Sequence, residues 1–166
     1  MENFKIMKNI NINICVRVYS YEELSDEDRA LVDEAKQATY RSYAPYSQFN
    51  VGAALRLNDE TVVTGSNQEN AAYPAALCAE RTAIFYANSR YPDHPVKALA
   101  IAARNKSGVF TDKPVAPCGV CRQVINETEN RYKQPIRILL YGRQGVYAVN
   151  SIQDLLPLQF NESDME

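Results

Sequence analysis

Three cysteines of this 166-residue chain have the spacing of metal ligands. Cys118 and Cys121 stand three residues apart, so on a helix they share one face and can bind a single ion. Cys78, which heads another segment of helical composition, is available as a third ligand. Zinc normally takes four ligands, and a site with three protein ligands keeps the fourth position for water. The pattern therefore predicts a catalytic site with one zinc ion per chain.

Two residues that follow Cys78 add acid–base chemistry to this site. Glu80 supplies a carboxylate within reach of a zinc-bound water, where it can act as a base and then as an acid. Three thiolates give the zinc site a net negative charge, which weakens the metal as a Lewis acid. Arg81 lies three residues after Cys78 and hence on the same helical face, so its guanidinium can donate to the sulfur. A solvent-exposed arginine is the alternative at that position.

The elements that must position these residues alternate along the chain. A capping serine followed by acidic residues predicts a first helix from Ser25 to about Arg41. The two cysteine segments start further helices, and helix starts stabilise thiolates through free N–H groups and the helix dipole. These helices are predicted over residues 78–89 and 118–128, and the strands over residues 49–57, 61–64, 96–103, 136–141 and 145–150. The alternation predicts an α/β fold, a three-layer α/β/α sandwich around a mixed five-stranded sheet.

Composition indicates one domain and narrows the range of partners. The chain is 46% hydrophobic, enough to bury a core, so residues 1–166 are interpreted as a single domain. A net charge of -2 and a pI of about 5.5 provide no basic surface for a phosphate backbone, so no nucleic-acid partner is expected. Neither an apolar run of membrane length nor a signal peptide is visible, so no membrane contact and a cytoplasmic location are expected.

Residues 1–20 form an N-terminal extension that precedes the expected catalytic core. Apolar and polar residues alternate from Ile10 to Val18, and a period of two predicts a half-buried strand. The strand either extends the edge of the sheet, which we favour, or mediates a subunit contact. Translation from Met7 instead of Met1 would make the first six residues dispensable. We find no catalytic residue in this extension.

The two cysteine segments together resemble a known signature. A Cys or His, then any residue, then Glu, with Pro-Cys-x-x-Cys further along, is typical of zinc-dependent nucleoside and nucleobase deaminases. With Cys78 in the first position, the chain resembles the cytidine deaminases that act on the free nucleoside. Further blocks in the order of that family are residues 46–54, residues 65–74 and Leu155-Leu156-Pro157 with Phe160. The resemblance covers residues 25–160.

This resemblance implies a reaction, an assembly and a set of substrate contacts. The reaction is the hydrolysis of cytidine and deoxycytidine to uridine and deoxyuridine with release of ammonia, as in pyrimidine salvage. Glu80 would move protons from water to ring nitrogen N3 and to the departing amine. The assembly is a homotetramer whose active sites are shared between subunits. The implied substrate contacts are Phe49, Asn67, Glu69, Tyr73, Ala79 and, from a neighbouring subunit, Phe160.

Asn67 and Glu69 suit a sugar by their own chemistry as well. In an extended chain both side chains point to one side, and an amide with a carboxylate can bind a pair of hydroxyl groups. The resemblance assigns them to the ribose and notably to its 3′-hydroxyl, so a preference between cytidine and deoxycytidine does not follow. Two positions depart from the common wording of the family: Ala72, where Cys is frequent, and Ala76, where Gly is frequent. Neither departure removes a functional group.

Three alternatives stay open at this point. A deaminase of another small aminopyrimidine nucleoside, such as an aminonucleoside antibiotic, would share the zinc chemistry and differ in the sugar pocket. A non-catalytic zinc protein would need a fourth ligand, for which Cys15 and His94 are poorly placed, and would not need Glu80. A deoxycytidylate or nucleic-acid deaminase would have His in place of Cys78 and basic residues for phosphate, which this chain lacks.

Overall fold

The computed structural model describes residues 8–165, which contain three α-helices and six strands. The helices are α1 (Asp26–Ala38), α2 (Ala79–Arg90) and α3 (Gly119–Tyr132). The strands are β1 (Arg17–Tyr19), β2 (Asn50–Leu57), β3 (Val62–Ser66), β4 (Val96–Arg104), β5 (Arg137–Gly142) and β6 (Gly145–Val149). Within this part of the chain, no helix has the length and apolar character needed to cross a bilayer.

One mixed sheet forms the middle layer of the fold. Its strand order is β1-β6-β5-β4-β2-β3. β4 and β5 run parallel, whereas every other neighbouring pair is antiparallel. The sheet has six strands where the predicted core has five, because β1, from the N-terminal extension, adds to one edge with Arg17 opposite Ala148 of β6.

Helices cover the two faces of this sheet, as the predicted three-layer sandwich requires. α1 packs on one face, in a core that includes Ala54 of β2 and Leu139 of β5. α2 and α3 pack on the other face, in a core that includes Leu55 of β2 and Ile125 of α3. Successive side chains of a strand point to opposite faces, so neighbouring residues of β2 serve the two cores in turn.

The small residues of β2 allow a close approach, and the neighbour on one face is α1. A Cβ atom built at Gly52 would lie 2.1 Å from the Ala35 carbonyl oxygen and 2.6 Å from the Thr39 amide nitrogen. Any side chain at residue 52 would therefore push α1 away from the sheet. The glycine is required by helix packing on this face of β2.

The N-terminal segment is paired over only three of its described residues. Residues 8–16 adopt neither helix nor strand, and their apolar side chains are exposed, with 82% for Ile10 and 50% for Ile12. Only β1, which follows directly, pairs with the sheet. The interpretation of Met7 as a start lies outside the described residues.

Candidate active site

The starts of α2 and α3 meet at one end of the sheet because the strands that precede them, β3 and β4, run in the same direction. β3 and β4 are both antiparallel to β2, so they point the same way, and each is followed by a helix on the same face. Helices that follow strands of the same direction begin at the same end of the sheet, where those strands finish. Cys78 and Cys118 are the N-cap residues of α2 and α3, and both have extended backbone torsion angles. The topology thus brings together two cysteines that are distant in the sequence.

The three predicted thiols form one cluster with the dimensions of a metal site. The Sγ atoms of Cys78 and Cys118 lie 3.8 Å apart, and those of Cys118 and Cys121 lie 3.5 Å apart. All three sulfur atoms are within 4.8 Å of one another. Sulfur ligands at about 2.3 Å from a tetrahedral zinc ion stand roughly 3.8 Å apart, so the cluster fits zinc. Three soft thiolates also match the chemical preference of this metal.

Arg81 lies where it can offset the negative charge of these thiolates. Its Nη2 atom is 3.8 Å from the Cys78 sulfur and donates to the Ala76 carbonyl oxygen at 3.1 Å. The neighbouring Cys121 thiol and then the Arg81 guanidinium lower the pKa of Cys78 to about 5. The same Cys78 neighbour, together with burial, raises the pKa of Cys121. Without a metal, Cys78 is therefore the member of this pair that ionises first.

Glu80 is a buried carboxyl group beside the thiol cluster. It occupies the first turn of α2 and is only 4% exposed. Burial is the main cause that raises the pKa of Glu80 above its ordinary value. A carboxyl group with a raised pKa exchanges protons more readily near neutral pH, as an acid–base catalyst requires.

A cavity of about 490 Å³ opens in front of the thiol cluster. That size lies within the range of small-molecule sites. The predicted site residues among its lining are Phe49, Asn67, Glu69, Tyr73, Cys78, Cys118, Glu80 and Arg81. The cavity therefore joins the metal-site chemistry to most of the residues expected to bind a nucleoside.

The side-chain amide of Asn67 binds the backbone at the start of β2. Its Oδ1 atom accepts from the Val51 amide at 2.8 Å, and its Nδ2 atom donates to the Phe49 carbonyl at 2.9 Å. A primary amide has two N–H donors and two acceptor lone pairs, so one of each is left for a ligand. Asn67 thus fixes the position of Phe49 while still facing the cavity.

Glu69 is held by the turn that precedes β2. One carboxylate oxygen accepts from the amides of Tyr46, at 2.8 Å, and Ser47, at 3.2 Å, and the other accepts from the Ser47 hydroxyl. The hydrogen bond from the Ser47 hydroxyl is the main cause that lowers the pKa of Glu69. The carboxylate is therefore ionised and fixed at the cavity wall.

Ser47 lines the cavity but is not among the site residues predicted from the sequence. Besides holding Glu69, its hydroxyl accepts from the Phe49 amide at 3.0 Å. The one signal in the sequence is a serine two residues before a predicted ligand aromatic, but its partner Glu69 is distant in sequence. The other unpredicted lining residues are Val51, Ala76, Leu77, Ile101, Val115 and Ala116.

Two predicted substrate contacts do not line this cavity in a single chain. The side chain of Ala79 is fully buried, and its carbonyl oxygen faces Gly65 of β3. Phe160 is 58% exposed and lies beside α3, where Gln123 and Asn126 donate to its carbonyl oxygen at 2.9 and 3.2 Å. Tyr73 does line the cavity, although 76% of it is exposed.

A comparison with known families adds to this geometry. Residues 25–134 match the family model described as the cytidine and deoxycytidylate deaminase zinc-binding region. The chain belongs to the cytidine deaminase family. Cytidine deaminase from Halalkalibacterium halodurans is 42% identical to this family member over 135 residues, which cover 81% of this chain and 95% of the relative. Cytidine deaminase from Sporosarcina psychrophila is also 42% identical, over 81% of this chain and 92% of the relative.

Solved structures of cytidine deaminases have the same fold as this deaminase chain. The enzyme from Burkholderia pseudomallei superposes with a TM-score of 0.66 at 42% identity, covering 79% of this chain and 97% of that one. The enzyme from Mycobacterium tuberculosis gives a TM-score of 0.63 at 33% identity, covering 82% of this chain and 98% of that one. The three-layer fold expected from the resemblance is confirmed.

Family membership and the thiol cluster agree on the metal of this deaminase. The matched family region is a zinc-binding one, and the cluster of Cys78, Cys118 and Cys121 lies within it. The deaminase therefore takes one zinc ion per chain. A closed structural site would need a fourth protein ligand. Among the described residues, the group that could hold a metal contains three.

Proposed function

We propose that this chain catalyses the hydrolytic deamination of cytidine and deoxycytidine, giving uridine and deoxyuridine with release of ammonia. The observation that carries the proposal is the placement of Glu80, a buried carboxyl group that lines one cavity together with two of the three clustered thiols. A zinc protein without catalytic activity would not need a buried carboxyl group beside its metal ligands. The close relatives named cytidine deaminase support the same reaction in preference to that of another aminopyrimidine.

In the proposed mechanism, Glu80 carries the protons. Zinc, when bound by Cys78, Cys118 and Cys121, lowers the pKa of a water ligand to near neutrality. Glu80 takes a proton from the attacking water and delivers it to N3 of the pyrimidine ring while the oxygen adds to C4. Glu80 then takes the second proton from the hydroxyl group now on C4 and gives it to the amino group, so that the C4–N bond breaks, ammonia leaves and the oxygen becomes the C4 carbonyl of the product. The raised pKa of Glu80 suits a group that acts as base and acid in turn.

Arg81 adjusts the charge of the metal site and does not contact the substrate in this proposal. Its guanidinium donates toward the Cys78 sulfur and thereby withdraws electron density from one ligand. Arg81 would thereby offset part of the thiolate charge that weakens a bound zinc ion as a Lewis acid.

The nucleoside is proposed to lie along the cavity from the thiol cluster to Glu69. Phe49 would contact the pyrimidine ring, and the free N–H and lone pair of Asn67 would face the sugar. Glu69, ionised and held by Ser47, would accept from the 3′-hydroxyl. Because Ala79 is buried, its contact with the substrate would come from its backbone N–H, one of the free amides at the start of α2. Tyr73 would contact the ligand from the exposed rim.

We further propose a homotetramer in which a neighbouring subunit completes each site. The carbonyl of Phe160 is held by α3 while 58% of the residue is exposed, so its side chain is available to reach the cavity of another copy. Phe85 and Tyr86 of α2 are also exposed, at 46% and 56%, and would be covered by such an assembly. Sedimentation equilibrium of the full chain gives the number of subunits directly.

Ultraviolet absorbance tests the substrate class. The purified protein, with its zinc counted, is incubated with cytidine, deoxycytidine, cytosine and deoxycytidylate. We expect loss of the cytidine absorbance band for the two nucleosides and little change for the free base and the nucleotide. No turnover of either nucleoside at one zinc per chain would contradict the proposal.

A Glu69→Gln variant tests where the sugar binds. The amide keeps the shape of the side chain but removes the charge that accepts from a hydroxyl. We expect the KM for cytidine to rise more than kcat falls, with zinc content unchanged. An unchanged KM for both nucleosides would place the sugar elsewhere.

A further inference from the structure

Arg122 joins the metal-site loop to the C-terminal segment through two backbone carbonyls. It lies one residue after Cys121 in the first turns of α3, and its side chain is partly buried. Its Nε atom donates to the Pro117 carbonyl oxygen at 2.9 Å, and its Nη1 atom donates to the Leu155 carbonyl oxygen at 2.6 Å. Hydrogen bonds from a charged donor are stronger than those between neutral groups.

The Pro117 carbonyl controls the orientation of a metal ligand. Cys118 caps α3 with extended torsion angles, φ -66° and ψ 166°, so the carbonyl before it lies outside the helical hydrogen-bond ladder. The peptide group that links Pro117 to Cys118 is planar, and fixing its oxygen fixes the plane from which the Cys118 side chain extends. Pro117 is itself buried. Arg122 thus holds the backbone from which one thiol reaches the cluster.

The other helix start has an arginine in a comparable role. Arg81 donates to the carbonyl of Ala76, five residues before it, as Arg122 does to the carbonyl of Pro117. Arg81 also approaches the Cys78 sulfur, whereas the second hydrogen bond of Arg122 goes to Leu155. Both ligand-bearing helix starts are therefore held by a guanidinium, and only one guanidinium acts on ligand charge.

We propose that Arg122 is a positioning residue of the zinc site. Arg122 fixes the Pro117–Cys118 peptide and anchors it to the C-terminal segment. It thereby keeps the thiols of Cys118 and Cys121 at metal-binding distance from the thiol of Cys78. Loss of Arg122 then weakens zinc binding in a chain that is still folded. The inference rests on zinc binding and is independent of which nucleoside the enzyme uses.

Zinc affinity and the cobalt spectrum test this role. Arg122→Gln is compared with wild type by competition with a chromophoric chelator, at a temperature where circular dichroism shows both to be folded. Removing groups that orient metal ligands typically costs 10- to 100-fold in affinity, and we expect a loss of roughly tenfold. The cobalt-substituted variant should also show altered thiolate-to-cobalt absorption bands, because the ligand geometry changes.

Two matched variants separate positioning from general stability. Arg131→Gln removes a guanidinium from the same helix that also donates to a proline carbonyl, that of Pro92 at 3.4 Å. Gln123→Ala removes a donor to the C-terminal segment, at the Phe160 carbonyl, and leaves Pro117 untouched. Both should keep wild-type zinc affinity and cobalt bands, even where the melting temperature falls.

Wild-type zinc affinity and cobalt bands in Arg122→Gln would overturn the proposal. An equal loss of affinity in Gln123→Ala would also overturn it, because docking of the C-terminal segment alone would then account for the effect. If Arg122→Gln does not fold, Arg122→Lys replaces it, since one ammonium cannot satisfy both carbonyls with guanidinium geometry. Weaker zinc binding by a folded Arg122→Lys supports the role, and wild-type binding refutes it.

Discussion

The starts of α2 and α3 have the same arrangement of residues but differ in how deeply they are buried. Each helix is capped by a cysteine, so Glu80 in α2 and Val120 in α3 hold the same position after the cap. Glu80 is 4% exposed, whereas Val120 is 59% exposed. The buried start supplies Glu80, the proposed acid–base group, and the open start supplies only thiols. The two matching positions therefore differ in their proposed roles: the buried one carries the acid–base residue, and the exposed one belongs to a helix start that only binds the metal.

Helix packing explains why the two starts differ. A Cβ atom built at Gly65 of β3 would lie 2.6 Å from the Ala79 carbonyl oxygen and 2.5 Å from the Ala83 amide nitrogen. The first turns of α2 therefore lie directly on the sheet. At Gly119, the first residue of α3, a Cβ atom would meet no other atom within 4 Å. The absence of a side chain at Gly65 thus permits the burial of Glu80.

The largest contrast is expected when the matching positions are changed in turn. Glu80→Gln should lower kcat for cytidine by about 10²- to 10⁴-fold, the range typical of a lost acid–base group. Zinc content should stay at one per chain, because the ligands are intact. The measurement is the absorbance assay with zinc counted in the same samples.

Val120→Thr is the control for this contrast. The two side chains have nearly the same shape and Val120 is exposed, so turnover and zinc content should match wild type. A comparable loss of kcat in Val120→Thr would show that the two helix starts share the chemistry, and the comparison would fail.

Arg81→Met is expected to have an intermediate effect. The substitution removes the charge beside Cys78 and should weaken zinc binding by roughly tenfold. In metal-free wild type, where the pKa of Cys78 is lowered to about 5, alkylation of this thiol by iodoacetamide should reach half its maximal rate near pH 5. The midpoint should move to higher pH in Arg81→Met. Mass spectrometry of the Cys78 peptide follows the reaction.

Arg90→Met, at the far end of the same helix, is the control for the charge effect. It should leave both the alkylation midpoint and the zinc affinity at wild-type values. An alkylation midpoint that is the same in Arg81→Met and in wild type would mean that Arg81 does not act on the charge of the ligand.

The smallest effects are expected in stability, and only one of two glycine substitutions should destabilise the fold. Gly65→Ala should destabilise the fold by about 1–3 kcal/mol, because α2 must shift away from β3. Gly119→Ala meets open space and replaces a poor helix former with a good one, so it should be neutral or stabilising by up to about 1 kcal/mol. Denaturant unfolding of both variants measures these differences. Equal destabilisation by the two changes would remove the packing explanation.

Residues close in sequence account for most of what could be predicted of the site. The i, i+3 spacing of Cys118 and Cys121 places both on one helix, and the structure brings their sulfur atoms to 3.5 Å. The helix at Cys78 is predicted to residue 89 and ends at Arg90. The meeting of the two helix starts depends on strand order, which local patterns do not specify. For that step the family resemblance was needed.

Contacts between distant segments are what the sequence did not reveal. The hydrogen bonds of Ser47 with Glu69 and of Arg122 with Leu155 join residues far apart in the chain, and no local pattern marks them. The N-terminal extension, where apolar and polar residues alternate, shows a second limit of prediction from local sequence patterns. Arg17 pairs with Ala148, and β6 ends at Val149, so residues 8–15 have no strand of the described sheet to pair with. A period of two predicts strand character but does not supply a partner.

Two main-chain carbonyls of the C-terminal segment accept hydrogen bonds from side chains of α3. Arg122 donates to the carbonyl of Leu155 and Gln123 to that of Phe160, and every amino acid offers the same carbonyl. Substitution of the side chains there leaves these two hydrogen bonds in place. The side chain at residue 160 can therefore be varied at little cost to folding, whereas Leu155 and Leu156 pack against the core and Asn161 accepts hydrogen bonds from α3 through its side chain. In the proposed homotetramer, position 160 is accordingly a favourable place to alter the substrate range of the enzyme by selection.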